Sequence, residues 1–357
     1  MDSSPNRSPT VAITGLAASD NPGPGVAVAR CLREARGPRQ TLVGLAFDHR
    51  FTGLYATDLI DEVFLIPAPA YGDRSFVQAL ADVRRQTPID VLIPALDPDV
   101  GLCAGTRRSL AGLGIHTLVP DAAAIRRRAK SVLSPLAEAS GFAAPRTVTL
   151  LSQTAMTAAL RDLALPFFLK GSFADARLVS TAEQAHAEFE RLVGQWGFPL
   201  LAQERVIGDE LNVTVLFNRK SELVGAVPMR KLGVTDRGKG WAGVTVRLPE
   251  VVERAGHLLR SIDWVGPAEL EMIRDPASNR FYLIEINPRF PAWTYLTAAA
   301  GQNLPWAAVQ LAMGREVRPF REVRPGQLFV RSVEDAFHPF DRVEALTSSR
   351  HVVLRGR

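Results

Sequence analysis

Apolar runs of four to six residues alternate with amphipathic stretches through the first third of the chain. Val11–Thr14, Thr41–Ala46, Glu62–Ile66, Ile89–Pro94 and His116–Val119 read as short strands. Val26–Glu34, Ser75–Arg85 and Val100–Leu113 have helical spacing. Strands and helices alternating at this interval predict a parallel sheet with helices on both faces, an α/β unit. The loop Gly15–Gly25 follows the first strand. Its Gly23-Pro-Gly25 begins like a dinucleotide fingerprint but lacks the third glycine, and it reads as a structural turn.

The pattern changes at Pro120–Arg128, where a proline, an Asp N-cap candidate and a basic run mark a boundary. Lys130–Ser140 is helical and stops at Gly141. Phe167–Lys170 is a strand, and Thr181 is placed to cap a helix reaching Val193. Leu200–Gln203, Glu210–Phe217 and Leu223–Pro228 are further strands, the last two joined by the turn Asn218–Ser221. Gly233–Gly243 reads as a mobile glycine-rich loop. Within it, Gly233–Gly240 falls one residue short of a P-loop, and Val244–Arg247 is strand-like where that motif needs a helix. Val251–Ile262 and Leu304–Gly314 are helical. The fold class expected of the chain as a whole is α/β and α+β.

The densest chemistry lies at Phe281–Phe290. Phe281, Leu283, Glu285, Asn287 and Arg289 share one strand face, so this face runs from apolar to polar. Ala268–Ile273 is a second strand, and Asp275–Asn279 between the two is turn chemistry. A hairpin centred on Ser278 sets Glu271 opposite Glu285, with Cβ atoms ~5 Å apart. Facing carboxylates repel, and a divalent cation removes that cost. Glu271, Glu285 and the Asn287 amide oxygen suit Mg²⁺, which keeps waters and takes phosphate oxygens as further ligands. Arg289 can hold a phosphoryl oxygen. Solvated charges on a surface hairpin are the plainer alternative, which the apolar start of the face opposes.

Composition adds little about the fold but narrows the chemistry. The net charge of +5 and pI near 9.5 favour anionic ligands. The basic residues are scattered, with no aromatic-interleaved stripe, so no nucleic-acid partner is expected. No apolar run has transmembrane length, so no membrane role is expected. Cys31 and Cys103 read as buried thiols in a reducing cytoplasm. Of 42 basic residues only Lys130, Lys170, Lys220, Lys231 and Lys239 are lysine. A lysine kept in so arginine-rich a chain suggests a compact point charge at a phosphate.

Taken together, Glu271…Glu285-Ile-Asn287-Pro-Arg289 and the pieces upstream resemble the ATP-grasp superfamily of carboxylate–amine ligase type, which includes carbamoyl-phosphate synthetase and biotin carboxylase. The resemblance spans Val11–Gly314. It implies a pre-ATP-grasp α/β domain at 10–120 and ATP-grasp lobes at 121–200 and 201–320; the polar, Pro/Ser-rich residues 1–9 read as a disordered leader, and 321–357 as a C-terminal extension. It also implies ATP and Mg²⁺ as cofactors, with Mn²⁺ able to stand in. Lys130 and Lys170 match the family's two phosphate-contacting lysines. Gln203, Glu204 and Val206 match the adenine-reading linker, and Glu210 the ribose carboxylate. Ser172 belongs to the phosphate-covering loop, which in Gly171–Arg177 is poorer in glycine than the family's. Arg289 and Lys231 are the residues expected at the reacting groups. Phe290-Pro-Ala-Trp293 departs from the small residues usual there and suggests a distinctive acceptor pocket. The implied activity joins a small-molecule carboxylate, activated as an acyl phosphate, to an amine. Amino acids or peptides fit as substrates, and a homodimer is compatible. Two alternatives remain open: a carboxylase-like use of bicarbonate, and a non-catalytic nucleotide-binding subunit.

Overall fold

The structure, a computed structural model, describes residues 8–17, 22–37, 39–129, 132–171, 175–235, 238–333 and 335–354. Among these residues the strands form three sheets. In the first, β1 (Thr10–Ile13), β2 (Thr41–Ala46), β3 (Glu62–Leu65) and β4 (Val91–Ile93) are parallel, and Thr10 pairs with Thr41. Alternate residues feed opposite cores. Val11, Ile13, Leu42 and Val63 pack in one with residues of the helices Gly25–Arg33 and Leu304–Ala312. Ala12, Val43, Leu45 and Leu92 pack in the other with residues of Gly72–Gln86 and Asp97–Gly105. Burial on both faces is why these strands lack polar alternation.

The second sheet is antiparallel, in the order β5-β8-β6-β7: β5 (Thr147–Leu150), β6 (Phe167–Gly171), β7 (Ala176–Val179) and β8 (Leu200–Glu204). Its core includes residues of the helices Gln153–Asp162 and Ala182–Trp196. Thr181 caps the second of these, its hydroxyl accepting from the Gln184 N–H at 3.2 Å. The third sheet comprises β9 (Asp209–Phe217), β10 (Leu223–Val234), β11 (Gly240–Thr245), β12 (Gly266–Arg274), β13 (Phe281–Asn287) and β14 (Leu328–Val330), in the order β13-β12-β9-β10-β11-β14. The last strand, β15 (His351–Val353), returns to the first sheet and pairs antiparallel with β3. By compactness the chain divides into one unit of Met1–Ile125, Asn212–Glu269 and Asn287–Arg357 and another of Arg126–Leu211 and Leu270–Ile286.

Several expected elements differ. Val100–Leu113 is two helices, Asp97–Gly105 and Arg107–Gly112. They break at Thr106, whose hydroxyl bonds back to the Leu102 carbonyl at 2.7 Å. His116–Val119 contributes a single bridge, His116 with Val91. Just beyond it the Leu118 carbonyl lies where a Cβ on Gly266 would sit, and Gly266 has φ 88°. The Gly233–Gly243 loop is much shorter than its glycines suggest. β10 runs on to Val234 and β11 starts at Gly240, and residues 236–237 lie outside the described residues. Gly23-Pro-Gly25 is a tight turn: a Cβ on Gly25 would meet the Thr14 carbonyl oxygen.

Candidate active site

Residues singled out from the sequence form two separate groups, each within one unit. In the unit 126–211 with 270–286, Gln203 pairs with Phe168 across β6 and β8, and Lys170 sits two positions further along β6. Diagonal neighbours on one face can touch, and Lys170 Nζ donates to Gln203 Oε1 at 2.6 Å. Both side chains are buried. The Gln203 amide in turn donates to Thr147 Oγ1 at 3.0 Å, and Lys170 Nζ lies 5.5 Å from the Phe168 ring centroid. Glu204 and Val206 are half-buried and Glu210 is exposed. The Glu204 N–H is already engaged by the Arg146 carbonyl at 2.9 Å, so that group is not available to a nucleotide base. Lys130 and Ser172 lie outside the described residues.

The Glu271/Glu285 hairpin departs from the expected register at its turn. At the turn, the Asp275 N–H donates to the Arg280 carbonyl at 2.9 Å. Continued without interruption, that pairing sets Glu271 against Ile284. At the far end Asn287 Nδ2 donates to Glu269 Oε2 at 3.2 Å, which puts 269 and 287 on one face and fits Glu271 opposite Glu285. The backbone pairing at the turn lies one residue from that of a hairpin centred on Ser278, and the expected centre is corrected to that extent. Phe281 and Leu283 are buried and Glu285 is half-buried, as the expected passage from core to polar surface requires. Glu271 is half-buried as well.

The second group, in the other unit, gathers around a residue the sequence reading passed over. Glu269 is 4% exposed. Its Oε1 accepts from Asn212 Nδ2 at 2.5 Å and from Trp293 Nε1 at 2.7 Å. Its Oε2 accepts from Asn287 and lies 3.9 Å from Arg289 Nη1. Arg289 Nε donates to Asp97 Oδ1 at 2.9 Å. Phe290 and Trp293, of the segment from which a distinctive acceptor pocket is expected, are buried and belong to the core. Lys231 is half-buried on β10, and its Nζ donates to the Gly238 carbonyl at 3.1 Å, across the short turn.

Two residues beyond Asp97, Asp99 is buried, and Thr14 Oγ1 donates to its Oδ2 at 2.5 Å. Burial pushes this carboxyl up to about 6; neighbouring Asp97 adds to the rise, and bonds from Thr14 and the Leu96 backbone oppose it. The Cys31 and Cys103 thiols are buried and unpaired by disulfide, and burial raises both. Among the described residues no cluster of three or more His, Cys, Asp or Glu side chains is arranged to hold a metal. A set of two carboxylates and one amide is not such a cluster. No helix among the described residues is long and apolar enough to cross a membrane.

Residues 198–336 match the family described as ATP-grasp in the biosynthetic pathway with Ter operon. The fold is similar to that of the biotin carboxylase domain of Hydrogenobacter thermophilus 2-oxoglutarate carboxylase, solved with MgADP and bicarbonate. There the TM-score is 0.66 at 16% identity, covering 90% of this chain and 74% of that one. It is similar also to Staphylococcus aureus N5-carboxyaminoimidazole synthetase, with TM-score 0.65, 16% identity and coverage of 90% and 82%. For the L-amino acid ligase of Bacillus licheniformis the TM-score is 0.60 at 16% identity, with coverage of 86% and 74%. At such identity these structures establish the fold alone. A stretch of 88 residues is 34% identical to acetyl-CoA carboxylase dmxL1 of Cryptosporiopsis sp. (strain 8999), covering 23% of this chain and only 4% of that one.

Proposed function

We propose that this chain, an ATP-grasp protein, is an ATP-dependent ligase that activates a small carboxylate as an acyl phosphate and joins it to an amine. The observation that carries the reading is the buried contact of Lys170 with Gln203 at 2.6 Å. The family resemblance assigns these two residues separately to phosphate and to adenine, and they are neighbours. A phosphate oxygen beside the Lys170 ammonium would gain a charge-assisted hydrogen bond, the role the resemblance gives this residue.

In this reading Lys170 and Lys130 hold the nucleotide phosphates, with Ser172 in the covering loop. Gln203, the Glu204 carbonyl and Val206 read the base, and Glu210 takes the ribose hydroxyls. Glu271, Glu285 and Asn287 would hold magnesium. The donor set fits: three hard oxygen ligands, two of them half-buried carboxylates on neighbouring strands. Magnesium held there would supply charge neutralisation to the nucleotide phosphates.

The substrate carboxylate attacks the γ-phosphorus, giving the acyl phosphate and ADP. The amine nitrogen then attacks the acyl carbon and loses its proton, and phosphate leaves. The protein's part is positioning and charge stabilisation. Arg289 would stabilise the transferred group, exchanging its Asp97 partner for that role. Lys231 would serve at the same centre by leaving the Gly238 carbonyl. The segment limits at 120, 200 and 320 and the choice of amino acids or peptides as substrates belong to the same reading.

The 34% identical stretch of a carboxylase favours a second reading, in which bicarbonate takes the place of the organic carboxylate. One assay separates the two. Purified protein with ATP and magnesium is offered amino acids, other carboxylic acids, or bicarbonate, with hydroxylamine as the trap. The ligase reading expects ADP release that depends on an organic acid, yields a hydroxamate, and is lost in Glu285→Gln. Turnover with bicarbonate alone favours the second reading. Nucleotide binding without turnover on any acid refutes both.

A further inference from the structure

We propose that Glu269 is a positioning residue, which turns the Asn287 side-chain amide so that its oxygen, and not its nitrogen, is presented to the cation. The inference rests on the reading of Asn287 as a metal ligand. An asparagine amide has a donor end and an acceptor end of nearly the same shape, and only its neighbours decide which points where. An ionised carboxylate can only accept. Here Glu269 receives donors on both oxygens: Asn212 Nδ2 and Trp293 Nε1 on Oε1, Asn287 Nδ2 on Oε2, with Arg289 Nη1 at 3.9 Å. Three N–H donors and a nearby guanidinium around one buried carboxyl leave it no role as a donor. Asn287 must therefore aim its NH₂ at Glu269, which directs Oδ1 the other way.

Asn212 shows how strong this constraint is. Its NH₂ also faces Glu269, although this leaves its buried Oδ1 without a hydrogen-bond partner among the described residues. A flip would set that oxygen against the Glu269 Oε1, which is worse than leaving it unpaired. The carboxylate thus dictates the orientation of two amides. For Asn212 the result is a cost, and for Asn287 it is a presented ligand atom. The Trp293 N–H and Asn212 fix Oε1, so the side chain of Glu269 cannot rotate to relax Asn287. Residues that orient a metal ligand in this way are worth about 10–100-fold in metal affinity.

The test compares Glu269→Gln, Asn287→Asp and the double variant, reading Mn²⁺ binding in the presence of ADP by the electron paramagnetic resonance signal of free Mn²⁺. In E269Q the amide keeps its oxygen toward Asn212 and Trp293 and so turns its NH₂ toward Asn287. Asn287 then flips, and a donor replaces the ligand oxygen. Mn²⁺ affinity is expected to fall about 10–100-fold, with ADP binding in the absence of metal unchanged. In the double variant the Gln NH₂ donates to one oxygen of the carboxylate introduced by N287D and the other remains for the cation, so Mn²⁺ binding returns most of the way to the wild-type value. A merely structural role predicts no such rescue. Wild-type-like Mn²⁺ binding in E269Q overturns the proposal, as does a double variant that binds no better than E269Q. If E269Q does not fold, the double variant decides: binding supports the proposal, and failure to fold or bind overturns it. Absence of Mn²⁺–ADP uptake by the wild-type protein removes the ATP-grasp ligase reading itself, and this inference with it.

Discussion

Replacing Asp99 by Asn will change how stability responds to pH. In the native protein Asp99 is buried, and its carboxyl is pushed up to about 6. An unfolded aspartate titrates near 3.9. A carboxyl whose folded pKa lies above its unfolded one stabilises fully below the unfolded value. That contribution is lost as pH rises through the folded value. The full shift corresponds to about 3 kcal/mol, and roughly half of it is lost between pH 5 and 7.5. The amide of D99N cannot ionise, so this slope disappears. The variant gives something up as well. Thr14 Oγ1 donates to Oδ2, and the Leu96 N–H also donates to this carboxylate. An amide has one oxygen for two donors, which costs about 1–3 kcal/mol. D99N should therefore be the less stable protein at pH 5, with the gap to wild type narrowing by about 1.5 kcal/mol by pH 7.5. Thermal melts of both proteins across that range, taken as a difference so that the other titrating groups cancel, give the measurement. A difference that stays flat with pH, or that moves against the variant as pH rises, refutes the assignment of a desolvated carboxylate at this site.

Gln203→Leu removes the acceptor for Lys170 Nζ and should destabilise the protein by about 1–3 kcal/mol while weakening ADP binding; melting and calorimetric titration read the two effects separately. Trp293→Phe keeps the ring in the core but deletes the N–H on Glu269, so a similar loss of stability is expected without the larger penalty of Trp293→Ala. Gly25→Ala places a methyl against the Thr14 carbonyl and should cost about 1–3 kcal/mol through displaced backbone, visible as a lowered melting temperature.

The parts of the fold that were legible are those where burial repeats a period. The first sheet could be read because its strands are covered on both faces and so appear as unbroken apolar runs: Thr41–Ala46 was expected with the limits it has. The helix capped by Thr181 was legible for a local reason, a hydroxyl placed just ahead of the apolar stripe. β7 (Ala-Arg-Leu-Val) was not legible, since three of its four residues are exposed on an edge strand and no alternation is imposed on them. β15 was beyond reach for another reason. Its partner, β3, lies nearly 300 residues earlier in the sequence, and no local pattern specifies so distant a pairing.

In the site, charged residues at strand ends were readable and the residue that organises them was not. Glu271 and Glu285 stood out because a strand-and-turn reading set them face to face. Glu269 lies two positions before Glu271 in Ala-Glu-Leu-Glu-Met, so strand alternation alone puts it on the same face, next to Asn287 once that register is granted. The signal was therefore present. Strand alternation gives the face but neither the burial of Glu269 nor the donors that surround it. A buried carboxylate with amide, indole and guanidinium donors around it is too costly to keep as spare charge, and its donors come from separate segments: Asn212 on β9, Asn287 on β13, and Arg289 and Trp293 in the turn that follows. A hub of this kind is invisible to spacing, because the positions that meet are fixed by the sheet and not by the chain. The short-range part of it, one acid two residues before another on a strand that pairs with Glu-x-Asn, can be sought in any sequence.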